Sequence, residues 1–120
     1  MKTLILGASI NPDRTSFLAA SYLSRAGIDF VPVGLKKGVI FGKEILDIRT
    51  KPEVDGVHTL TLYLGPKNQP DYYDYILDIN PQRIIFNPGT ENEELRKLAE
   101  AKGINTEYSC TLTLLSIGIY

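Results

Sequence analysis

The stretch Leu4-Ile5-Leu6-Gly7-Ala8-Ser9-Ile10-Asn11-Pro12-Asp13-Arg14 decides how the rest of the chain is read. A short apolar run ends in glycine, crosses small and polar residues, and enters a helical pattern. That is the layout of a first strand, phosphate-binding turn and helix in a nucleotide-binding βαβ unit. The glycine lets backbone approach a ligand closely, and the helix start behind it offers N–H groups and a positive dipole end to an anion. The glycine-rich G-x-G-x-x-G pattern is absent, which narrows the choice of ligand.

Outward from this turn, apolar strands alternate with helical segments. Residues 3–7 form the first strand, and residues 14–26 a helix with Phe17, Leu18, Tyr22 and Leu23 at helical spacing before Gly27. Asp29 to Val33 is the second strand. Residues 34–56 are rich in glycine and lysine, with Ile45-Leu46 as a candidate small strand. Val57 to Tyr63 reads as the third main strand and Arg83 to Phe86 as the fourth, with residues 105–109 as a fifth. Between them lie a helix over Gln69 to Asp78 and an amphipathic one over Glu91 to Lys102. The pattern predicts a single α/β domain over residues 1–120. Its architecture is a three-layer, doubly wound, Rossmann-like fold with a five-stranded, mainly parallel sheet in the order 3-2-1-4-5.

Composition sets limits on function. The 120 residues hold 13 basic and 14 acidic side chains, and 43% are hydrophobic. No charge block resembles a nucleic-acid arm or a polybasic membrane anchor, so neither partner is expected. One cysteine excludes an intrachain disulfide framework, and with one histidine no zinc cluster can be assembled. No apolar run approaches the roughly 20 residues that span a bilayer. The chain is strand-like by residue 3, without a signal-peptide pattern. The expectation is a cytoplasmic domain that binds a small-molecule nucleotide and no metal.

In such a sheet, ligands sit beyond the carboxyl ends of the strands, where the strand order reverses. Four segments converge there: Gly7–Arg14, Gly34–Gly38, Tyr63–Lys67 and Asn87–Thr90. Gly7 supplies the tight turn, Ala8 and Ser9 offer backbone donors and a hydroxyl, and Arg14 can grip a phosphate bidentately. Thr15 and Ser16 either cap the helix or touch the phosphate. The alternative is that Gly7 only closes a turn and that Ser9 and Thr15 only cap. An NAD site needs an acidic residue at the end of the second strand. Here that position reads Val33-Gly34-Leu35-Lys36-Lys37, with no carboxylate. Two lysines in its place suit a nucleotide with an extra ribose phosphate, either coenzyme A or NADP, unless they are merely solvated.

Gly7-Ala8-Ser9 followed by Asn11-Pro12-Asp13-Arg14, then Val31-Pro32-Val33 before a basic glycine loop, resembles the small single-domain bacterial CoA-binding proteins. These are relatives of the CoA-binding domain of succinyl-CoA synthetase alpha subunits. Gly42-Lys43-Glu44-Ile45-Leu46, the strand ending in Leu62-Tyr63, and Asn87-Pro88-Gly89 ahead of Glu91-Asn92-Glu93-Glu94 extend the likeness across the whole chain. The late Cys110 also falls where the family often has a cysteine. The resemblance implies a Rossmann-like fold with CoA across the carboxyl edge of the sheet. Gly7, Ala8, Ser9 and Arg14 would face the phosphates, and Val33 to Lys37 the adenine and 3′-phosphate. Tyr63 and Leu64 would line the wall, and Pro88 and Gly89 would lie near the pantetheine arm.

Catalytic machinery is not legible. No Ser-His-Asp or paired-carboxylate arrangement emerges. His58 begins the third main strand, at the edge away from the expected site. Cys110 is read either as a small buried hydrophobe or as a thiol able to pair with that of CoA. Asp71, Asp74 and Asp78 form a solvated helical stripe. The tail from Thr111 to Tyr120 covers one face of the sheet or makes a homodimer contact. Three functions remain distinct: a non-catalytic module that binds CoA or acyl-CoA, a minimal NADP-binding reductase, and an interaction domain that has lost its nucleotide site.

Overall fold

The computed structural model describes all residues from 1 to 120. Strand β1 (Lys2–Leu6) leads through the Gly7 turn into helix α1 (Thr15–Arg25), and β2 (Asp29–Gly34) follows. Next come a hairpin of β3 (Val39–Ile40) and β4 (Lys43–Glu44) and a short strand, β5 (Leu46–Asp47). The remainder is β6 (Val57–Leu62), α2 (Tyr73–Ile79), β7 (Arg83–Phe86), α3 (Glu93–Ala101), β8 (Asn105–Tyr108) and α4 (Thr111–Ser116).

Six strands form one sheet in the order β5-β2-β1-β6-β7-β8, and every neighbouring pair is parallel. This is the doubly wound, Rossmann-like arrangement, with six strands where five were expected. Over the five strands read from the sequence the order is 2-1-3-4-5, not 3-2-1-4-5. Val57–Leu62, expected at the edge beside the second strand, lies directly against β1, and the small strand Leu46–Asp47 takes that edge instead. Burial explains the placing. Leu60 and Leu62 are fully buried, which suits the middle of a sheet, whereas the two half-buried residues of β5 suit its edge.

Alternation along the strands builds the three layers. Leu4 and Leu6 join Leu60, Leu62, Ile84 and Phe86 against α2 and α3, where Ile76, Leu95 and Ala99 are buried. Ile5 points the other way, to Ala20 and Leu23 of α1 and to Phe30. On that second face the buried residues of β6 are Thr59 and Thr61, not aliphatics. Their hydroxyls need partners, and the C-terminal segment supplies one: Thr61 pairs with Thr111 at 2.7 Å. Thr3 of β1 likewise meets the Tyr120 hydroxyl at 2.7 Å. Helix α4 packs on α1, so the apolar tail covers one face of its own sheet.

Two further segments differ from their sequence reading. The helix over Gln69 to Asp78 is shorter: residues 66–68 and 70–72 are two 3-10 turns, each opened by a proline, and only Tyr73–Ile79 is α-helical. The β3–β4 hairpin turns through Phe41 and Gly42, both at positive φ, the geometry of a two-residue turn that matches strand twist.

Candidate functional site

Two strands leave β1 in opposite directions, β2 to one side and β6 to the other, so the order reverses between β1 and β6. Above that gap, at the carboxyl ends, lies a cleft of about 370 Å³. Its floor and walls are Gly7, Ala8, Ser9, Ile10 and Asn11 from the first turn, Arg14, Thr15 and Ser16 from the start of α1, and Gly34, Leu35 and Lys36 after β2. Ile48, Tyr63 and Leu64 complete it. Two cations and no carboxylate face this space, so its field favours an anion.

The turn is built by backbone. The N–H groups of Gly7 and Ala8 both donate to the Val33 carbonyl, at 2.8 and 3.0 Å, which ties the end of β1 to the end of β2. Ala8 is therefore not a free donor for an anion, contrary to the sequence reading. Gly7 sits at φ +101°, and a Cβ there would stand 3.1 Å from the Tyr63 carbonyl carbon. Ser9 braces the loop, its Oγ accepting from the Asn11 N–H at 3.0 Å. Neither Thr15 nor Ser16 caps α1: the cap position is Arg14, whose side chain makes no capping bond. The first turn of α1 is left uncapped at the cleft, the arrangement that suits a phosphate.

Four of the residues singled out from sequence lie elsewhere. Val33 is fully buried in the core, and its contribution is the carbonyl just described. Lys37 is outside the cleft lining. Its charge, after the Arg49 hydrogen bonds, helps hold the Asp47 carboxyl below its usual value. Pro88 and Gly89 stand beyond β7, next along the carboxyl edge, with the Gly89 N–H donating to Glu91 Oε1 at 2.9 Å. Ile10, Asn11 and Ile48 were not singled out as site residues. Ile48 had no local signal, because a 3-10 turn 14 residues beyond β2 brings it in.

Tyr63 is the unusual titratable group here. Its hydroxyl is buried with no hydrogen-bond partner. Burial pushes its pKa up to about 12, an effect only eased by the nearby Thr61 and Thr111 hydroxyls. Tyr75 is raised to about 12 for the same first reason. A raised phenol keeps its proton in the folded chain after the unfolded chain has lost it. The resulting stabilisation is full below pH 10 and is lost as pH climbs towards 12. Urea midpoints measured across that window should fall, and Tyr63→Phe should flatten part of the slope. Because it removes an unpartnered buried hydroxyl, Tyr63→Phe is also expected to leave stability at pH 7 unchanged or raise it by up to about 1 kcal/mol.

Other groups lie apart. His58 is at the amino end of β6, its Nδ1 2.8 Å from Thr59 Oγ1. Cys110 precedes α4; burial pushes its thiol up, but the Thr113 hydroxyl and the N–H groups of Thr113 and Leu112 leave it below its ordinary value. A larger hollow of about 440 Å³ lies at the amino edge, lined by Lys51, Glu53, Asp55, Asp74 and Asp78 among others. Its acidic rim is the wrong sign for a phosphate ligand. No cluster of three or more His, Cys, Asp or Glu side chains is placed to hold a metal ion. No helix is long and apolar enough to cross a membrane.

Residues 1–116 match the family model described as a CoA binding domain. A crystal structure of an uncharacterized protein is 49% identical, with 99% of this chain and 97% of that one covered and a TM-score of 0.95. The structure of cell-free ID.343 from Thermus thermophilus matches at 20% identity and TM-score 0.85, over 99% of this chain and 90% of that one. A hypothetical protein from Pyrococcus horikoshii OT3 matches at 25% identity and TM-score 0.78, over 92% and 78%. No curated protein matches the chain.

Proposed function

The chain belongs to the family of CoA-binding domains, and from that premise we propose that its carboxyl-edge cleft binds coenzyme A or an acyl-CoA. The observation that carries this reading is the lining of the cleft: Arg14 and Lys36 beside an uncapped helix start, with no carboxylate. A diphosphate would lie over Gly7–Ser9 and the first turn of α1, with Arg14 as its counter-ion. Lys36 would meet the 3′-phosphate, with Leu35 and Gly34 beside the adenine. Tyr63 and Leu64 form the wall along which the rest of the molecule leaves. CoA when bound supplies a thiol that carries acyl groups. No histidine or carboxylate lines the cleft to serve as a base. The role that fits is a non-catalytic carrier, sensor or regulatory module in the cytoplasm.

Thermal shifts with CoA, dephospho-CoA and NADPH test this. CoA should raise Tm more than dephospho-CoA, because loss of the 3′-phosphate contact weakens binding by about tenfold, or about 1.4 kcal/mol. Lys36→Ala should erase that difference. Equal shifts from the two ligands would remove Lys36 from the site. Protection by NADPH alone would identify an NADP protein, and no response to any nucleotide an interaction domain.

A further inference from the structure

On the reading above, the phosphates lie at Gly7–Ser9 and the nucleoside over the end of β2, so the arm beyond the diphosphate would run over the carboxyl ends of β6 and β7, between Leu64 and the Pro88–Gly89 turn. At the Leu64 and Thr90 carbonyls those two loops are bridged by one side chain. Gln69 has no exposed surface, and its Nε2 donates to the Leu64 carbonyl and to the Thr90 carbonyl, both at 2.9 Å. Its Oε1 accepts from Asn92 Nδ2 at 2.8 Å. Asn92 in turn donates to the Tyr73 hydroxyl at 2.7 Å and, through Oδ1, caps α3 at the Leu95 N–H. Thr90 closes the Asn87–Thr90 turn through its own N–H and Oγ1, both donating to the Asn87 carbonyl.

Every polar atom of the Gln69 amide is thus used. The two donors are spent on two different loops, and the acceptor on the residue that starts α3. A planar amide with both N–H groups engaged fixes the separation of the two carbonyls it bridges. We propose that Gln69 is a positioning residue that sets the gap between the Leu64 wall and the Pro88–Gly89 turn. The part of the ligand it acts on is the arm beyond the diphosphate, the pantetheine chain. Gln69 touches no ligand itself. The inference rests on the CoA reading above and adds to it a residue that acts at a distance.

The test exploits that division of the ligand. Binding of CoA and of adenosine 3′-phosphate 5′-diphosphate, which keeps every phosphate and lacks only the pantetheine arm, is measured calorimetrically for the wild type and for Gln69→Leu. The variant should bind CoA about tenfold more weakly and the armless nucleotide within about twofold of the wild type. Equal losses for both ligands mean a general loosening of the fold, and no loss for either means that the gap is irrelevant; each overturns the proposal. Should Gln69→Leu not fold, Gln69→Asn keeps the amide, shortens its reach, and must show the same ordering. Amide hydrogen exchange gives an arm independent of ligand. Residues 64–69 and 90–92 must exchange faster in the variant while β1 and β6 stay protected; unchanged exchange rejects the brace. A wild-type protein that ignores CoA overturns the coenzyme reading instead, and the brace is then judged on exchange alone.

Discussion

Gly34→Ala is expected to destabilise the domain by about 3 kcal/mol and to abolish the thermal response to CoA. The cause is space, because Gly34 does not have the positive φ that restricts other glycines here. A Cβ on Gly34 would run into the Ala8 carbonyl oxygen, with the Ala8 carbonyl carbon only 3.1 Å away. Neither atom can yield alone. The Ala8 N–H is bonded to Val33 at 3.0 Å, and the neighbouring Gly7 N–H shares the same acceptor at 2.8 Å. To admit one methyl group, the end of β2 must part from the whole Gly7–Ser9 turn, which is the floor of the cleft. Gly38→Ala is the informative control. Its Cβ would also collide, but with Cγ2 of Ile10, a half-exposed side chain free to change rotamer. That adjustment costs about 1 kcal/mol at most. Melting curves should separate the two, with Tm lower by more than about 10 °C for Gly34→Ala and by about 4 °C or less for Gly38→Ala. Near-equal Tm values would mean that the turn is plastic.

The same glycine shows what could be read from the residues alone. The sequence points to Gly34 as a site residue because it follows a strand and precedes lysines, which is local information. That its Cα packs on Ala8 is a fact about two strands brought together, and no window of sequence contains it. Elements with strong periodicity were legible: β1, α1, β6, β7 and α3 carry apolar residues at the spacing of their own geometry. The hairpin over 39–44 was not, since Phe41 at positive φ gives no signal of the kind that Asn-Gly would. The shortened α2 has a similar origin. Tyr72 and Tyr73 sit at helical spacing with Ile76, yet Pro66 and Pro70 open 3-10 turns before the helix can begin. Of the two adjacent lysines, only Lys36 faces the cleft. Which of two neighbours does so depends on how the loop leaves β2, and composition is silent on that. The two threonines of β6 read as ordinary β-formers, although both are buried and Thr61 docks the C-terminal segment through Thr111.

That docking makes Asn87→Leu the second large effect, with an expected loss of about 4 kcal/mol. Asn87 follows β7 and is 2% exposed. Its Nδ2 donates to Thr61 Oγ1 at 2.7 Å and to the Leu62 carbonyl at 2.9 Å. Its Oδ1 accepts from the Thr111 N–H at 2.9 Å, the first residue of α4. Leucine keeps the branched four-atom shape, is somewhat bulkier, and removes all three bonds. Thr61 keeps the Thr111 hydroxyl as a partner, but the Leu62 carbonyl and the Thr111 N–H are left buried and unpaired, at about 2 kcal/mol each. Because α4 is only six residues long and its cap residue, Cys110, makes no capping hydrogen bond, it has little intrinsic stability to withstand that loss. Hydrogen exchange should therefore show α4 opening first, ahead of the β1–β6 pair, with global Tm lower by about 15 °C. Asn87→Asp separates the contributions: it retains an acceptor for Thr111 but turns a carboxylate oxygen towards the Leu62 carbonyl, so it must either bind a proton or repel. Its stability should consequently rise as pH falls through the carboxylate range, opposite in sign to ordinary acid destabilisation. An Asn87→Asp protein whose stability ignores pH between about 4 and 8 would show that this buried amide is not the tie between the sheet and α4.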